Sequence, residues 1–368
     1  MGKKILIGSV LSIFLIFMMP FISAVDQVNV HQIQCKKNEN DTDDKSDYYA
    51  LIVGCSEYQN CRNNLPKPPF KPFQEYQMKY VYNRLINATN WEIENIVLLL
   101  NEDATKQNII NNLIELSDKI DSNDVFMFSW TGHGTEIKDE NNEDEYHAAI
   151  CPYDTTYEDG QLVNVLTDDD LDYYFTKINA KGQFIMFESC HSGGMVDVEN
   201  HSNMAFMDVN KNGRIVVMST PPGKLGMADY TVGFPMLYLY GLAFSEPKND
   251  KNQDGWISAE EAFFYVDTNF PEFQKQLLLD LIDFIMPIQV FSDFINANLI
   301  LKKIGVKPLM RIIISIIYTV LKLKLYQIDE VKDKIIEFIE SFNKIMNVEN
   351  NPNMQDDFVG ELNIIKLK

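Results

Sequence analysis

A histidine and a cysteine, each close to glycine, follow two short apolar segments of the sequence. Residues 125–130 run into Thr-Gly-His-Gly, which contains His133, and residues 184–187 run into Glu-Ser-Cys-His-Ser-Gly-Gly, which contains Cys190. A thiol beside an imidazole forms a nucleophile–base pair, because the imidazole can hold the sulfur as a thiolate or take its proton, and can later protonate a leaving amine. We therefore predict covalent catalysis with Cys190 as nucleophile and His133 as general base and acid.

The glycine after His133 suits the same chemistry. A residue without a side chain lets the backbone approach a substrate carbonyl closely, and backbone N–H groups stabilise the oxyanion that forms when that carbonyl is attacked. We predict an oxyanion hole made by the N–H groups of Gly134 and Cys190. A lone cysteine at the end of a strand is usually buried and inert, but here a cysteine and a histidine occur in matching positions.

Short apolar runs alternate with longer amphipathic stretches from residue 48 onward. The runs predict strands buried on both faces at 50–53, 96–100, 125–130, 184–187 and 215–218, and the stretches predict helices at 74–86, 106–116, 168–178 and 234–244. This alternation is typical of an α/β fold, a mostly parallel sheet with helices on both faces. Ligands bind beyond the carboxyl ends of strands in such sheets, which is where we expect His133 and Cys190.

A second motif, at residues 250–261, fits the twelve-residue EF-hand calcium loop. Gly255 permits the sharp turn that the loop requires. Calcium needs a shell of oxygen ligands, and six residues would supply it: Asp250, Asn252, Asp254, Trp256 through its carbonyl, Ser258 and Glu261. The alternative is an acidic turn in which Ser258 caps the following helix. We predict Ca²⁺ as a structural or regulatory ion and no organic cofactor.

The first residues have the pattern of a secretory signal peptide. Lys3 and Lys4 precede an apolar run over residues 5–21, and small residues follow at Ser23 and Ala24. We predict cleavage of residues 1–24, a flexible linker at 25–47, and an extracellular or cell-surface location. The alternative is an uncleaved segment that associates the protein with a membrane, because the run approaches the length needed to span one.

Charge and composition exclude several classes of protein. Asp and Glu number 53 against 32 Lys and Arg, a net charge of −21, so we expect no nucleic-acid partner. Hydrophobic residues make up 46% of the chain, which is enough for a sizeable core. The five cysteines are an odd number, so at least one is unpaired within a monomer.

The sequence after residue 268 has a helical pattern without strand signals. We predict an all-helical C-terminal region at 269–368, packed rather than membrane-embedded, because Arg311, Lys322 and Lys324 bound or interrupt its most apolar run. The last residues, from 347 onward, look frayed. This region would be either a prodomain that covers the site or a module that binds a partner.

The blocks around His133 and Cys190 resemble those of the caspase–legumain clan of cysteine peptidases. Cys-His-Ser-Gly is similar to metacaspases, whereas Glu-x-Cys and Asn-Cys-Arg at 60–62 resemble legumain more. The caspase signature Q-A-C-[RQG]-G is absent, so the sequence is not a caspase proper. The resemblance implies a caspase-like, six-stranded peptidase domain at 48–268 that hydrolyses peptide bonds through a thioester.

The resemblance also implies a pocket for the P1 side chain of a substrate. Arg62 lies where caspases and legumain place a pocket arginine, and Glu188 lies where metacaspases have Asp and legumain has Glu. Asp229 would be a third member, as in legumain. An arginine and a carboxylate together suit an amide, so we expect P1 to be Asn or a basic residue. A solvated loop position for Arg62 and backbone hydrogen bonding for Glu188 remain open.

These observations predict an exported cysteine endopeptidase that acts on peptide or protein substrates. One alternative is a transpeptidase of the legumain type, because an amine can attack a thioester in place of water. Another is a catalytically silent, calcium-stabilised binding protein on a caspase-like scaffold. Loss of His133 or Cys190 would favour the silent protein, and the sequence keeps both.

Overall fold

The computed structural model describes residues 46–60, 64–65, 80–138, 146–158, 161–196, 209–226, 235–277, 279, 332–333, 336–337, 339–340, 343–344 and 347–367. The predicted signal peptide and nearly all of the linker lie outside these residues, as do Arg62 and Asp229. Within the described part, no helix is long and apolar enough to cross a membrane.

The described residues include thirteen strands and five continuous helical segments, and further helical residues lie at 279 and between 332 and 344. The strands are β1 (Tyr48–Gly54), β2 (Ile96–Leu100), β3 (Val125–Thr131), β4 (Gly134–Lys138), β5 (Tyr146–Ile150), β6 (Thr156–Glu158), β7 (Gln161–Val163), β8 (Leu166–Thr167), β9 (Gly182–Glu188), β10 (Arg214–Met218), β11 (Trp256–Ser258), β12 (Asn353–Asp356) and β13 (Asn363–Lys366). The helices are α1 (80–85), α2 (Lys106–Lys119), α3 (Asp168–Lys177), α4 (Pro235–Ala243) and α5 (259–277). Short 3₁₀ turns cover Ile93–Asn95, Asn101–Asp103, Ser192–Met195 and Pro247–Asn249.

The central sheet has six strands in the order β12-β10-β9-β3-β1-β2. Five of them are parallel to their neighbours, and β12 is antiparallel to β10. Each of the five predicted strands is present, so the prediction of a mostly parallel α/β sheet is confirmed. The pattern succeeds because a strand covered on both faces must be apolar at every position, and β3 and β9 are buried along their whole length.

Alternate side chains of the sheet enter two separate cores. Met127 and Met186 point to one face, where they pack in a cluster with residues of α4 and α5. Phe128 and Phe187 point to the other face, where they pack in a cluster with residues of α2 and α3. The period of two along each strand therefore produces helices on both faces, as predicted.

In the part of the chain that the structure describes, three smaller sheets accompany the central sheet. β4 begins directly after His133 and pairs with β5, which pairs in turn with β8. β6 and β7 form a hairpin, and β11 pairs with β13. The segment that follows His133 is therefore a hydrogen-bonded strand and not a loop.

The prediction of an all-helical C-terminal region with a frayed end is wrong for residues 347–367. β12 joins the central sheet beside β10, and β13 pairs with β11. The predicted boundary at residue 268 falls inside α5, which continues to residue 277. Residues 332–333, 336–337, 339–340 and 343–344 are helical, and the rest of 280–346 lies outside the described residues. No apolar run marks either strand, because β12 is polar at three of its four positions and β13 at two.

Candidate active site

The turns that carry His133 and Cys190 are in direct contact. β3 and β9 are parallel neighbours that end in register, with Thr131 opposite Glu188, so both turns leave the same edge of the sheet. A Cβ on Gly134 would collide with the carbonyl oxygen of Cys190 and lie 2.7 Å from the Ser189 hydroxyl oxygen. The absence of a side chain at Gly134 therefore lets the two turns meet.

The backbone of His133 is held on both sides. Its N–H donates to the hydroxyl oxygen of Tyr58 over 2.8 Å, and its carbonyl accepts from the N–H of Cys151 over 3.0 Å. The Tyr58 ring lies 5.0 Å from the imidazole ring, centroid to centroid, with an interplanar angle of 34°. The sequence prediction missed Tyr58, because a single tyrosine four residues past the end of a strand matches no motif.

Cys190 is the partly exposed thiol among the three free cysteines of the described residues, since Cys55 and Cys151 are buried. Burial raises the pKa of Cys151 to about 12, so this thiol is inert at neutral pH. Burial also raises the pKa of Cys190, while the N–H groups of Gly226 and of Cys190 itself act in the opposite direction. The Gly226 N–H donates to the Cys190 sulfur over 3.2 Å. In this state Cys190 is a thiol at neutral pH.

The residues after Cys190 form a tight turn. His191 adopts φ +59°, the left-handed region that non-glycine residues rarely occupy, and its N–H donates to the Lys224 carbonyl over 2.7 Å. Its Nδ1 lies 3.4 Å from a carboxylate oxygen of Glu136 in β4. The Ser192 hydroxyl accepts from the N–H groups of Ser219 and Thr220, both over 3.1 Å. The hydrogen bonds of this turn thus fix it to the segment after β10.

Residues 347–351 lie against the segment that contacts Cys190. The Leu225 N–H donates to the Asn347 carbonyl over 3.0 Å, and the Glu349 N–H donates to the Leu225 carbonyl over 2.9 Å. Gly226, which follows Leu225, contacts the Cys190 sulfur. The C-terminal segment therefore supports one side of the site, which the prediction of a frayed end had missed.

Glu188 ends β9 and contacts the first turn of α4. Its side chain is 2% exposed, and its two carboxylate oxygens accept from the N–H of Met236 over 2.8 Å and of Leu237 over 2.7 Å. Burial raises the pKa of Glu188 to about 8, and the two backbone hydrogen bonds lower it less. The structure thus places Glu188 in backbone hydrogen bonding, the second of the roles left open by the sequence. The other predicted pocket residues, Arg62 and Asp229, lie outside the described residues.

The predicted calcium loop has the expected turn at Gly255, where φ is +87°. Its acidic side chains accept hydrogen bonds from the loop backbone: Asp250 from Gly255 over 3.0 Å, and Asp254 from Trp256 over 2.9 Å. Glu261 accepts from the N–H groups of Asn252 and Ser258 over 3.2 and 3.1 Å. Among the described residues, the oxygens of these three carboxylates do not all lie within 4.8 Å of one another.

A group of possible metal ligands lies elsewhere. Among the described residues, one set of three His, Cys, Asp or Glu side chains brings a ligand atom from each within 4.8 Å of the others, namely His147, Asp168 and Asp169. Nδ1 of His147 lies 3.3 Å from Asp168 and 3.6 Å from Asp169. Sequence reasoning did not select this group, because His147 is distant in sequence from the two aspartates. The pairing of β5 with β8 brings them together.

The solved structures that are similar to this chain include the following two. A Geobacter sulfurreducens protein has a TM-score of 0.45 and 14% identity, over 61% of this chain and 89% of the other. Caspase-1 from Spodoptera frugiperda has a TM-score of 0.40 and 12% identity, over 65% of this chain and 83% of the other.

Sequence comparison places both turns inside a known family domain. Residues 71–199 match the family described as "Metacaspase, peptidase C14 domain". Metacaspase-4 of Arabidopsis thaliana is 31% identical over 129 residues, which are 33% of this chain and 29% of the relative. Metacaspase-1 of Schizosaccharomyces pombe is 31% identical over 159 residues, 40% of this chain and 35% of the relative. The chain spans about a third of the length of these curated relatives. The chain is a distant homologue of the metacaspases, and residues 71–199 correspond to their peptidase C14 domain.

Proposed function

We propose that the chain is an exported cysteine endopeptidase in which Cys190 is the nucleophile and His133 the general base and acid. The contact of the Gly134 backbone with the Cys190 turn is the observation that carries this assignment, because it holds the two residues at one edge of the sheet. The exposure of the thiol supports it, since the other free cysteines of the described residues are buried.

The raised pKa of Cys190 favours one order of events. The free enzyme holds a thiol, and His133 takes its proton as the sulfur attacks the substrate carbonyl carbon. The C–N bond then breaks, the imidazolium returns the proton to the leaving amine, and a thioester remains on Cys190. Water attacks the thioester with His133 as base, which releases the acid product and restores the thiol.

The strand pairing supports an oxyanion hole at Gly134. His133 and Cys151 form a hydrogen-bonded position of the ladder between the segments that contain β4 and β5. Such positions alternate with non-hydrogen-bonded ones, so the pairing of Gly134 with Ile150 leaves the Gly134 N–H directed away from β5. Gly134 contacts the Cys190 turn on its other side. Together with the N–H of Cys190, this group would bind the developing oxyanion.

We propose peptide or protein substrates with Asn at P1, ahead of a basic residue. Glu188 has a pKa of about 8, so at neutral pH it is largely protonated and attracts a cationic side chain weakly. Its oxygens also bind the start of α4. A neutral amide does not depend on a charged Glu188. Arg62 and Asp229, whose charges are opposite, would complete this pocket.

We also propose that the loop at residues 250–261 binds Ca²⁺. The ligand pattern and the left-handed Gly255 support this site. Asp250, Asp254 and Glu261 accept hydrogen bonds from loop N–H groups, and a carboxylate can accept such a bond while it coordinates Ca²⁺. The His147 group is the competing position for a cation, because its ligand atoms already converge.

The test is turnover of fluorogenic peptides that differ only at P1, with Asn, Arg, Lys or Asp. The chain from residue 25 is compared with Cys190→Ala, with His133→Asn, and with Cys151→Ala as a matched control for loss of a neighbouring thiol. We expect cleavage by the unsubstituted chain and by Cys151→Ala alone. An added amine that is incorporated into the product would identify a transpeptidase. Absence of cleavage in all four proteins would favour the silent binding protein.

A further inference from the structure

Tyr58 connects the end of the first strand to the turn that carries His133. Its hydroxyl accepts from the His133 N–H over 2.8 Å and donates to the Cys55 carbonyl over 3.2 Å. We propose that Tyr58 is a positioning residue, whose hydroxyl and ring set the place and orientation of the His133 imidazole beside Cys190. This inference rests on the proposed function, because it assigns Tyr58 a role in the action of the same pair.

The hydroxyl is fixed by its surroundings. Tyr58 is 4% exposed, and burial raises its pKa well above the ordinary value, so the hydroxyl keeps the proton that it donates to Cys55. A Cβ at Gly132 would lie 2.9 Å from the hydroxyl oxygen and 3.0 Å from the Cys55 carbonyl. The turn therefore passes over the hydroxyl with no room for a side chain. Any shift of the oxygen moves the backbone of His133.

Two further hydrogen bonds of this turn join backbone groups. The Gly132 N–H donates to the Glu188 carbonyl over 3.4 Å, and the Cys151 N–H donates to the His133 carbonyl over 3.0 Å. Tyr58 thus supplies the described side-chain hydrogen bond to the His133 backbone, at the N–H on the amino side of the residue. Without it the partly buried N–H would be unsatisfied, and the turn would move to find a partner.

The Tyr58 ring restrains the His133 side chain, whereas the Tyr58 hydroxyl restrains the His133 backbone. A centroid distance of 5.0 Å and an angle of 34° place the phenol ring in contact with the imidazole ring. One face of the imidazole is therefore occupied, which restricts its rotation. Removal of the oxygen alone separates the two effects, because phenylalanine keeps the ring in the same place.

The experiment compares Tyr58→Phe with a matched control, Tyr240→Phe. Both tyrosines are buried, but within the described residues the Tyr240 hydroxyl has no hydrogen-bond partner. Steady-state turnover, thermal unfolding and the pH profile of Cys190 alkylation by iodoacetamide are measured for both. We expect Tyr58→Phe to lower kcat by about 10- to 100-fold with KM changed less than about twofold, and Tyr240→Phe to leave both constants unchanged.

The alkylation profile distinguishes positioning from a general loss of stability. A displaced imidazole changes the pH dependence of Cys190 alkylation in protein that is still folded, whereas lower stability alone does not. It also separates this inference from the proposed function, because alkylation needs no peptide substrate: an altered profile supports the positioning role even if no peptide is cleaved. An unchanged profile with unchanged kcat would overturn it, as would kinetic changes of equal size in Tyr240→Phe. If Tyr58→Phe is less stable, turnover and alkylation are measured at 10 °C, where the variant is folded, so that unfolding does not affect the comparison.

Discussion

The carboxylate of Glu188, the last residue of β9, accepts a hydrogen bond from the backbone N–H of Leu237 in the first turn of α4 over 2.7 Å. The residue two positions before the nucleophile is therefore attached to a helix N-terminus, where N–H groups lack partners within the helix. The second oxygen binds the neighbouring Met236 N–H. Positioning of the Cys190 turn thus depends on α4 as well as on the sheet.

This contact predicts a pH-dependent stability. The pKa of Glu188 is raised by burial from 4.5 to about 8, so between these values the folded chain holds a proton that the unfolded chain has lost. The free energy of unfolding should therefore fall as pH rises through this range, by up to about 1.4 kcal/mol per pH unit from this group. Glu188→Gln should remove that contribution. Urea unfolding from pH 5 to 8.5, in a Cys190→Ala background, measures the free energy of unfolding with Glu188 and with Glu188→Gln. The same pH dependence in both proteins would contradict a raised pKa of Glu188.

Gly134→Ala should lower kcat strongly while leaving the protein folded. The added methyl would collide with the Cys190 carbonyl oxygen, which would push the two turns apart and displace a proposed oxyanion donor. Loss of one such donor typically costs about 10²- to 10³-fold in kcat. Gly360→Ala is the control, because its φ of +97° makes alanine strained there although its Cβ would meet nothing within 4 Å. We expect that control to lose stability and keep kcat; equal kcat values for the two variants would refute the prediction.

Calcium should raise the melting temperature through the loop at residues 250–261. A ligand at 100 times its Kd stabilises the folded state by about 2.7 kcal/mol. The shift should persist in Asp169→Asn, which alters the His147 group, and vanish in Glu261→Gln, which removes a bidentate ligand. Calorimetry with Ca²⁺ and with a chelator measures it. The reverse pattern would assign the ion to His147, Asp168 and Asp169.

The sequence was informative where one physical cause sets the pattern. A strand buried on both faces must be apolar throughout, so all five parallel strands could be located, and with them the edge that carries His133 and Cys190. Tyr58, Glu188 and the His147 group depend instead on contacts between residues far apart in the chain. Glu188 could be noticed from its place beside Cys190, but its partner at Leu237 is 49 residues away. Only the folded chain shows such pairs.

The C-terminal strands also depend on contacts that the sequence pattern does not reveal. Strand β12 lies at the edge of the sheet, and the exposed side chains of Asn353 and Asp356 give it no apolar signal. Its place is fixed by pairing with Ile215 to Met218 of β10, which are fully apolar. A short polar segment after a helical pattern therefore looked like a frayed end, although it completes the sheet.

Removal of residues 347–368 should prevent folding. Truncation exposes the edge of β10 and deletes Leu362, Ile364 and Ile365, which are all at most 5% exposed. Burial of each such side chain contributes about 1.5–3 kcal/mol. The three together are therefore comparable with the free energy of unfolding of a typical domain, about 5–15 kcal/mol.

The measurement is circular dichroism and thermal unfolding of the chain that ends at residue 346, with and without a synthetic peptide of residues 347–368. We expect the truncated chain to lack a cooperative transition and the peptide to restore one. A peptide in which Leu362, Ile364 and Ile365 are replaced by serine is the control and should restore nothing. A truncated chain with an unchanged melting temperature would mean that β12 and β13 are dispensable. That result would fit the alternative in which the C-terminal region is a prodomain that can be removed.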